Sequence, residues 1–341
     1  MKQTLVTFLL ISAIGLASCR KDKIQLNIKQ YDQQQISNYI TAHGLTGMIR
    51  DTTGGDTTGM YYQILYPGTQ SVNGKPVTPL DYPSQIAFVY TERTLDGTYV
   101  TADTVANHFF DYVGHIFSGH LPLGLQTAVH NLLKYPDASM RVLIPSHLAY
   151  GLAGTGSGSN QVANNKINGN ESLDIYIHAV NNFQTYDDLV IKNYMRDSSL
   201  TGYIPVKIQV PQVPTPINPL VYWVGKDLNV PDMATYYYKI LTPATSTTDP
   251  ITINSTVTTT YTGTIFNGTI FNDYNVAGGT PLDVDGTIAG VKNGLENHAY
   301  IGTKISLLIP SQLAYALSPP SGVVPPFTCL RFTFIVDAVT P

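Results

Sequence analysis

The stretch 308–315 reads LIPSQLAY and the stretch 143–150 reads LIPSHLAY, so the two differ at a single position. Each is an apolar run that contains a proline, a pattern typical of a strand that ends in a turn. More pairs of similar segments precede these two stretches, in the same order. They are 31–47 with 186–202, 61–65 with 237–241, and 90–98 with 261–269. An ordered series of this kind predicts that the chain contains two repeats of one structural unit.

The composition agrees with two globular units that expose few charges. The chain has 341 residues, of which 43% are hydrophobic and 12% are charged, and its formal net charge is −4. A chain of this length corresponds to about two domains. Nucleic acid is excluded as a partner, because the 19 Lys and Arg residues form no basic block and phosphate binding needs clustered positive charge.

Each repeat is predicted to open with an amphipathic helix and to continue mainly as strands. Apolar residues recur at near-helical spacing around Ile36 and Ile191. Runs of β-branched and aromatic residues such as Thr256–Tyr261 and Ile305–Ile309 are typical of strands. One more helix is expected in each repeat, over 125–134 and over 288–297.

Prolines cluster at the start of the second repeat, within 203–220. They are Pro205, Pro211, Pro214, Pro216 and Pro219. Because proline has no N–H to donate, we expect this stretch to be extended and semi-rigid, and not a packed element.

The N-terminus has the features of an export signal. Lys2 precedes an apolar run, 5–16, that is too short to span a bilayer, so residues 1–18 are predicted to be a signal peptide. The run ends in Leu16-Ala17-Ser18-Cys19, which resembles the lipobox of bacterial lipoproteins. That resemblance implies a lipid anchor on Cys19, a tether over 19–30, and a location on the membrane of a bacterial cell envelope, at the periplasmic face or the cell surface. The alternative is an ordinary cleaved signal with a cysteine nearby.

A series of short motifs in the second repeat matches a known family. The motifs are Tyr261-Thr262-Gly263, Asn267–Asn272, Gly290, Gly294, Ile309–Tyr315, Val323–Pro326 and Leu330–Phe332. In this order they resemble the FKBP-type peptidyl-prolyl cis-trans isomerases. The resemblance covers about 255–338 and needs no gap from Ile309 onward.

The resemblance implies an α+β fold with two FKBP-like domains, each an antiparallel half-barrel sheet wrapped on one helix. The implied division is a signal peptide over 1–18, a tether over 19–30, and a degenerate FKBP-like domain over 31–182, which we call the first repeat. The second repeat comprises 183–254, with a leading helix, the proline-rich segment and a first strand, followed by the isomerase domain over 255–341.

The resemblance also implies an apolar cleft that holds an X-Pro bond. The residues that would line this cleft are Tyr261, Phe271, Asn272, Ile288, Val291, Tyr315, Val323, Val324 and Phe332. Rotation of a peptide bond has a barrier of about 18–20 kcal/mol because resonance is lost. A dry aromatic pocket favours the twisted amide, which has less charge separation than the planar one. The Tyr315 hydroxyl and the Ile288 N–H would hold the substrate carbonyls.

Two positions of the second repeat depart from the family pattern. Asn272 stands where the family usually has Asp, and Val291 stands where it has Trp at the floor of the cleft. The first repeat departs further, with Val100 and Thr101 at the Phe-Asp positions and Leu125 at the Trp position. We therefore expect the first repeat to be non-catalytic.

The predicted function is peptidyl-prolyl isomerisation that assists the folding of exported proteins. Proline-containing polypeptides are the expected substrates, the membrane is a partner through the anchor, and no cofactor is implied. Two alternatives stay open. In one, both clefts bind peptides or a partner protein without turnover, and in the other the first repeat is a chaperone module beside an active second repeat.

Overall fold

The computed structural model describes residues 27–340 with the exception of 54, 56, 102–104, 106, 159–165, 212–229 and 321–322. The predicted signal peptide and Cys19 lie outside the described residues. No helix in the described part of the chain has the length and apolar character needed to cross a membrane.

The first repeat is built on a seven-stranded antiparallel sheet. The strands of this region are β1 (Ile49–Arg50), β2 (Tyr61–Tyr66), β3 (Ser71–Val72), β4 (Lys75–Pro76), β5 (Gln85–Thr94), β6 (Val100–Thr101), β7 (His108–Tyr112), β8 (Ser139–Ile144) and β9 (Leu173–Ala179). The sheet order is β1-β2-β8-β9-β5, and both β6 and β7 pair with β5. Strands β3 and β4 form a separate hairpin.

The second repeat has a sheet of the same order. Its strands are β10 (Ile204–Gln209), β11 (Met233–Thr242), β12 (Thr256–Ile265), β13 (Ile270–Tyr274), β14 (Thr280–Asp283), β15 (Lys304–Ile309) and β16 (Leu330–Thr340). They run in the order β10-β11-β15-β16-β12, and both β13 and β14 pair with β12. All of these pairings are antiparallel. The two sheets therefore correspond strand by strand.

Strand β10 corrects the expectation for the proline-rich stretch. Ile204–Gln209 pairs along its whole length with β11, and Pro205 lies opposite Tyr237. Because β10 is at the edge of the sheet formed by the described residues, one side of its backbone has no partner strand among them, and a proline without an N–H is tolerated there. The segment is thus packed up to Gln209, while 212–220 lies outside the described residues.

The predicted helices are present with small shifts in their ends. The leading helices are α1 (Ile28–Ala42) and α3 (Phe183–Asp197), and the second helix of each repeat is α2 (Leu123–Ala128) or α4 (Ala289–His298). A π-helical turn, Val129–Leu133, continues α2. The N-cap of α1 is Asn27, whose side chain accepts a hydrogen bond from the Gln30 N–H at 3.0 Å.

Helix α4 lies close against β15 because two glycines face that strand. A Cβ at Gly290 would overlap Ile309 Cγ2, and a Cβ at Gly294 would lie 2.8 Å from Leu307 Cδ1. The glycines are four residues apart and therefore share one face of the helix. This close approach places the N-terminus of α4 beside the concave face of the sheet.

The two repeats contact each other through aromatic side chains. The ring of Phe327, in the loop before β16, meets Phe110 of β7 in the first repeat edge to face at 5.6 Å. Within the second repeat, the same ring stacks on Phe183 of α3 with a centroid distance of 4.2 Å. In addition, Nδ1 of His108 lies 2.8 Å from the carbonyl oxygen of Pro326. The first repeat therefore packs against the loop that leads into the last strand of the second.

Candidate functional site

A cavity of about 200 Å³ lies in the second repeat between α4 and the sheet. We call it the α4 cleft. Its lining residues are Tyr261, Asn272, Leu282, Gly286, Thr287, Ile288, Val291, Tyr315, Phe332 and Phe334. None of these side chains is charged, so the cleft is an uncharged site in which aliphatic and aromatic side chains alternate with hydroxyl and amide groups.

Aromatic rings pack against one another along one side of the α4 cleft, two pairs of them edge to face. Phe271 of β13 meets Phe332 of β16 at 5.5 Å and an angle of 87°, and it meets Tyr315 at 6.3 Å and 81°. Tyr261 of β12 packs against Phe334 at 5.1 Å. Edge-to-face packing is a favourable arrangement for rings and holds each one in a fixed orientation.

Gly263 on β12 provides the space for two of these rings. It pairs with Phe332 on one side and with Asn272 on the other. A Cβ at this position would lie 2.7 Å from Phe332 Cε1 and 2.9 Å from Phe271 Cζ. The aromatic wall therefore depends on the missing side chain of a glycine.

Two hydrogen-bond donors of the α4 cleft have no acceptor in the described part of the chain. One is the Tyr315 hydroxyl and the other is the backbone N–H of Ile288, the N-cap residue of α4. Burial raises the pKa of Tyr315 above its ordinary value, and the neighbouring Tyr274 adds to the effect. The hydroxyl is therefore protonated at neutral pH and can donate to a ligand carbonyl. Burial likewise raises the pKa of Tyr261 to about 12.

The structure brings together most of the residues that the sequence singled out. Six of them line the α4 cleft, namely Tyr261, Asn272, Ile288, Val291, Tyr315 and Phe332. Phe271 contacts the rings of two of these residues. The remaining two are not among the lining residues. Val323 is 49% exposed, and Val324 is buried in the core of the second repeat.

Sequence reasoning missed Leu282, Gly286, Thr287 and Phe334, which also line the α4 cleft. Phe334 could have been found, because it lies two residues after Phe332 on the same strand and so points to the same face of the sheet. The other three lie in or after β14, which the sequence analysis did not place.

A buried carboxylate supports the segment that carries Tyr315. Asp187 of α3 accepts hydrogen bonds from the Ser311 N–H at 2.9 Å and from the Ser311 hydroxyl at 2.6 Å. Ser311 begins the 3₁₀ helix Ser311–Leu313 that precedes Tyr315. Burial raises the pKa of Asp187 to about 7. In the first repeat Asp32 has the same place, 3.0 Å from His147 Nδ1.

The corresponding cleft of the first repeat has different walls. Glu92 pairs with Ile175 on β9 and with Thr101 on β6, as Gly263 pairs with Phe332 and Asn272. The strand register thus places a glutamate where the second repeat has glycine. An aliphatic side chain, Ile175, stands at the position of Phe332.

Helix α2 completes the correspondence between the two clefts. A Cβ at Gly124 would overlap Ile144, as a Cβ at Gly290 would overlap Ile309. The next residue, Leu125, therefore corresponds to Val291, and both are buried in the cores of their repeats.

Comparison with known proteins finds a family match for one part of the chain. Residues 248–336 match the model of the FKBP-type peptidyl-prolyl cis-trans isomerase family. A search of curated proteins found no match.

Similar solved structures include the three FKBP domains of wheat FKBP73, at 16% identity and a TM-score of 0.29, where the match covers 86% of this chain and 99% of that one. FkpA from Escherichia coli matches at 22% identity and a TM-score of 0.32, over 46% of this chain and 61% of that one. A peptidyl-prolyl cis-trans isomerase from Pseudomonas syringae matches at 20% identity and a TM-score of 0.32, over 46% and 96%.

Proposed function

We propose that the α4 cleft catalyses the isomerisation of X-Pro bonds in exported polypeptides, since residues 248–336 match the model of the FKBP-type peptidyl-prolyl cis-trans isomerase family. The observation that carries the proposal is an uncharged cavity with aromatic and aliphatic walls and two hydrogen-bond donors that have no acceptor among the described residues. A proline ring fits the apolar walls, and the substrate carbonyls are the acceptors that the two donors require.

The chemistry needs no nucleophile and no cofactor. Isomerisation passes through a twisted amide in which the resonance of the C–N bond is lost. This state has less charge separation than the planar amide, so transfer from water to an apolar cleft stabilises it relative to the ground state. Phe271 and Phe332 hold the proline ring. The Tyr315 hydroxyl and the Ile288 N–H bind the carbonyls on either side of the bond that rotates.

The first repeat is proposed to be a degenerate relative of the same domain. Its sheet has the same strand order as that of the second repeat, which supports a tandem arrangement. In its cleft Glu92 stands at the position of Gly263, and Thr101 stands at the position of Asn272. In the second repeat, Gly263 leaves room for two aromatic rings, and in the first repeat the Glu92 side chain fills that room. The aromatic wall that would bind proline is therefore missing, so the first repeat is proposed to be non-catalytic.

The experiment measures cis-trans isomerisation of a short X-Pro peptide by the full chain in detergent. Y315F removes one hydrogen bond to the substrate and is expected to lower kcat/KM about tenfold, since about 1.4 kcal/mol corresponds to a factor of ten. F271A removes a wall and is expected to lower it further. The matched controls are Y82F and F117A, which alter exposed side chains of the first repeat and leave the rate unchanged.

A second candidate is a protein that binds proline peptides without turnover. It is favoured by Val291, a small buried side chain at the position where the resemblance implies a Trp floor. The same assay separates the two candidates. Peptide binding without acceleration by the folded wild-type chain would overturn catalysis and leave the binding function.

Membrane attachment through Cys19 is proposed from the lipobox-like sequence alone. It places the isomerase where exported chains fold, and uncatalysed X-Pro isomerisation takes tens of seconds, long enough to limit their folding. Expression in a bacterium with labelled palmitate is expected to label the wild type and not C19S. Labelling of neither protein would contradict the anchor.

A further inference from the structure

The Glu92 side chain lies in the interior of the first repeat. Along β5 the residues Phe88 and Tyr90 point into the core, and side chains two residues apart on a strand share one face of the sheet. Glu92 continues this series and is 4% exposed. Its neighbour on β9 is Ile175, which is fully buried in the same core. A carboxyl group therefore occupies a position that would ordinarily be apolar.

Three tyrosines surround this carboxyl group. The hydroxyl of Tyr150 lies 3.5 Å from Glu92 Oε2, at the outer limit of a hydrogen bond. Burial raises the pKa of Tyr90, Tyr99 and Tyr150, and in each case the charge of Glu92 adds to the effect of burial. Tyr150 is therefore in contact with the carboxyl group, and Tyr90 and Tyr99 lie near enough to be affected by its charge. We call these four residues the Glu92 cluster.

The carboxyl group has almost no compensation for its burial. Glu92 Oε1 has no hydrogen-bond donor, and no Lys or Arg forms an ion pair with Glu92, in the part of the chain that the structure describes. Burial raises its pKa to about 7, and the hydrogen bond from Tyr150 opposes this only partly. An unpaired buried carboxylate is costly, so a group of this kind in a folded protein requires an explanation.

We propose that the Glu92 cluster is a binding site for a primary ammonium cation. The free Oε1 can accept a hydrogen bond from one N–H of the ammonium group. The positive charge of the ammonium group is the counter-ion that Glu92 lacks. The phenol oxygens can accept the remaining N–H donors. The faces of the tyrosine rings attract a cation as well, and this attraction is strongest where water is excluded.

The side chains of Tyr90 and Tyr150 are only partly buried, whereas Tyr99 is 6% exposed, so we expect a cation to approach the cluster past Tyr90 and Tyr150. A lysine side chain of a polypeptide and a free alkylamine both present a primary ammonium group to the Glu92 cluster. Only the lysine is attached to a polypeptide backbone, so the test includes both kinds of ligand.

The test measures binding of small probes to the full chain in detergent by calorimetry and by ligand-observed NMR. The probes are Nα-acetyl-lysine N-methylamide, n-butylammonium chloride, and Nα-acetyl-norleucine N-methylamide, which lacks the ammonium group. We expect the first two to bind saturably and the third not to bind. A tighter complex with the lysine derivative assigns the site to polypeptides, and equal affinities assign it to free amines.

The variant E92Q keeps the size of the side chain and removes its charge, and it is expected to weaken binding of the cations at least tenfold. The matched control is E296Q, the same change on α4 of the second repeat, which leaves binding unchanged. Y150F retains the ring, so it tests the site without loss of the carboxylate and is expected to weaken binding less. No saturable binding by the folded wild type, or equal binding by E92Q, would overturn the proposal.

Discussion

Asp187 on the leading helix of the second repeat accepts two hydrogen bonds from Ser311, one from its N–H at 2.9 Å and one from its hydroxyl at 2.6 Å. This contact joins α3 to the 3₁₀ helix that leads to Tyr315, and it lies fully inside the protein, since Asp187 is 1% exposed. The leading helix thus supports one wall of the α4 cleft although it does not line it.

The raised pKa of Asp187 makes the stability of the fold depend on pH. Burial moves it from its ordinary value of 3.8 to about 7, so the native state holds a proton that the unfolded state has released between these two values. Stability therefore falls as pH rises through this range. D187N has no proton to lose, and we expect a smaller difference in Tm between pH 5 and pH 8 than in the wild type.

Glu92 also makes stability fall as pH rises over this range, because burial raises its pKa to about 7. D187N is therefore expected to retain part of the pH dependence of Tm, and D187N/E92Q is expected to lose most of it. The control is D249N, which changes an exposed carboxyl group. An equal Tm difference between pH 5 and pH 8 in the wild type and in D187N/E92Q would show that these two carboxyl groups do not cause the pH dependence.

Gly263 controls the aromatic wall of the α4 cleft. In G263A the new methyl group would lie 2.7 Å from a carbon of Phe332 and 2.9 Å from a carbon of Phe271, so at least one ring must move. We expect kcat/KM for an X-Pro peptide to fall at least tenfold and stability to fall by about 1–3 kcal/mol, the usual cost of overpacking. G47A is the matched control, because its methyl group meets the flexible end of the Gln63 side chain. Unchanged activity in G263A would contradict this role.

Much of the fold could be predicted from the repeated motif and from residue patterns. The strands that precede Pro145 and Pro310 are β8 and β15, and the leading helices around Ile36 and Ile191 are present as predicted. The edge strand β10 was wrongly excluded, since a proline such as Pro205 is tolerated in a strand that has a neighbour on one side only. The number of neighbouring strands is set by the whole sheet and cannot be read from the sequence of one segment.

Site residues that belong to sequence motifs, such as Tyr261 and Tyr315, could be predicted. Residues whose role depends on contacts between distant segments could not. Glu92 is one polar residue in a strand, and nothing local to it shows that it faces the core opposite Ile175. Asp187 is similar, because its partner Ser311 is 124 residues away. Such contacts exist only once the helix and the sheet have packed.

The two glycines of α4 set the distance between that helix and β15. Replacing Gly290 or Gly294 with alanine gains about 0.5–1 kcal/mol of helix propensity. The added methyl group would meet Ile309 or Leu307, and overpacking of a core costs about 1–3 kcal/mol. The second effect is larger, so both variants are expected to be less stable than the wild type in urea unfolding. The control is N297A, an exposed position of the same helix, and a stabilised G294A would contradict the close packing.

Phe327 connects the packing of the repeats to the loop of the α4 cleft. Its ring meets Phe110 of the first repeat at 5.6 Å and stacks on Phe183 of α3 at 4.2 Å. Its N–H donates to the Ala316 carbonyl at 2.8 Å, at the base of the loop that carries Val323 and Val324. F327A is expected to lose about 3 kcal/mol of stability or more, as is usual when a buried Phe is truncated. The exposed F117A serves as its control.

The variant F183A separates the two roles of this contact. It removes the same stacking from the side of α3 and leaves Phe327 in place on its loop. If the contact orders the cleft, F327A and F183A both raise the KM for an X-Pro peptide, at a similar loss of stability. If the contact serves packing alone, both variants lower stability and leave the KM as in the wild type. That result would contradict a role of this contact in ordering the α4 cleft.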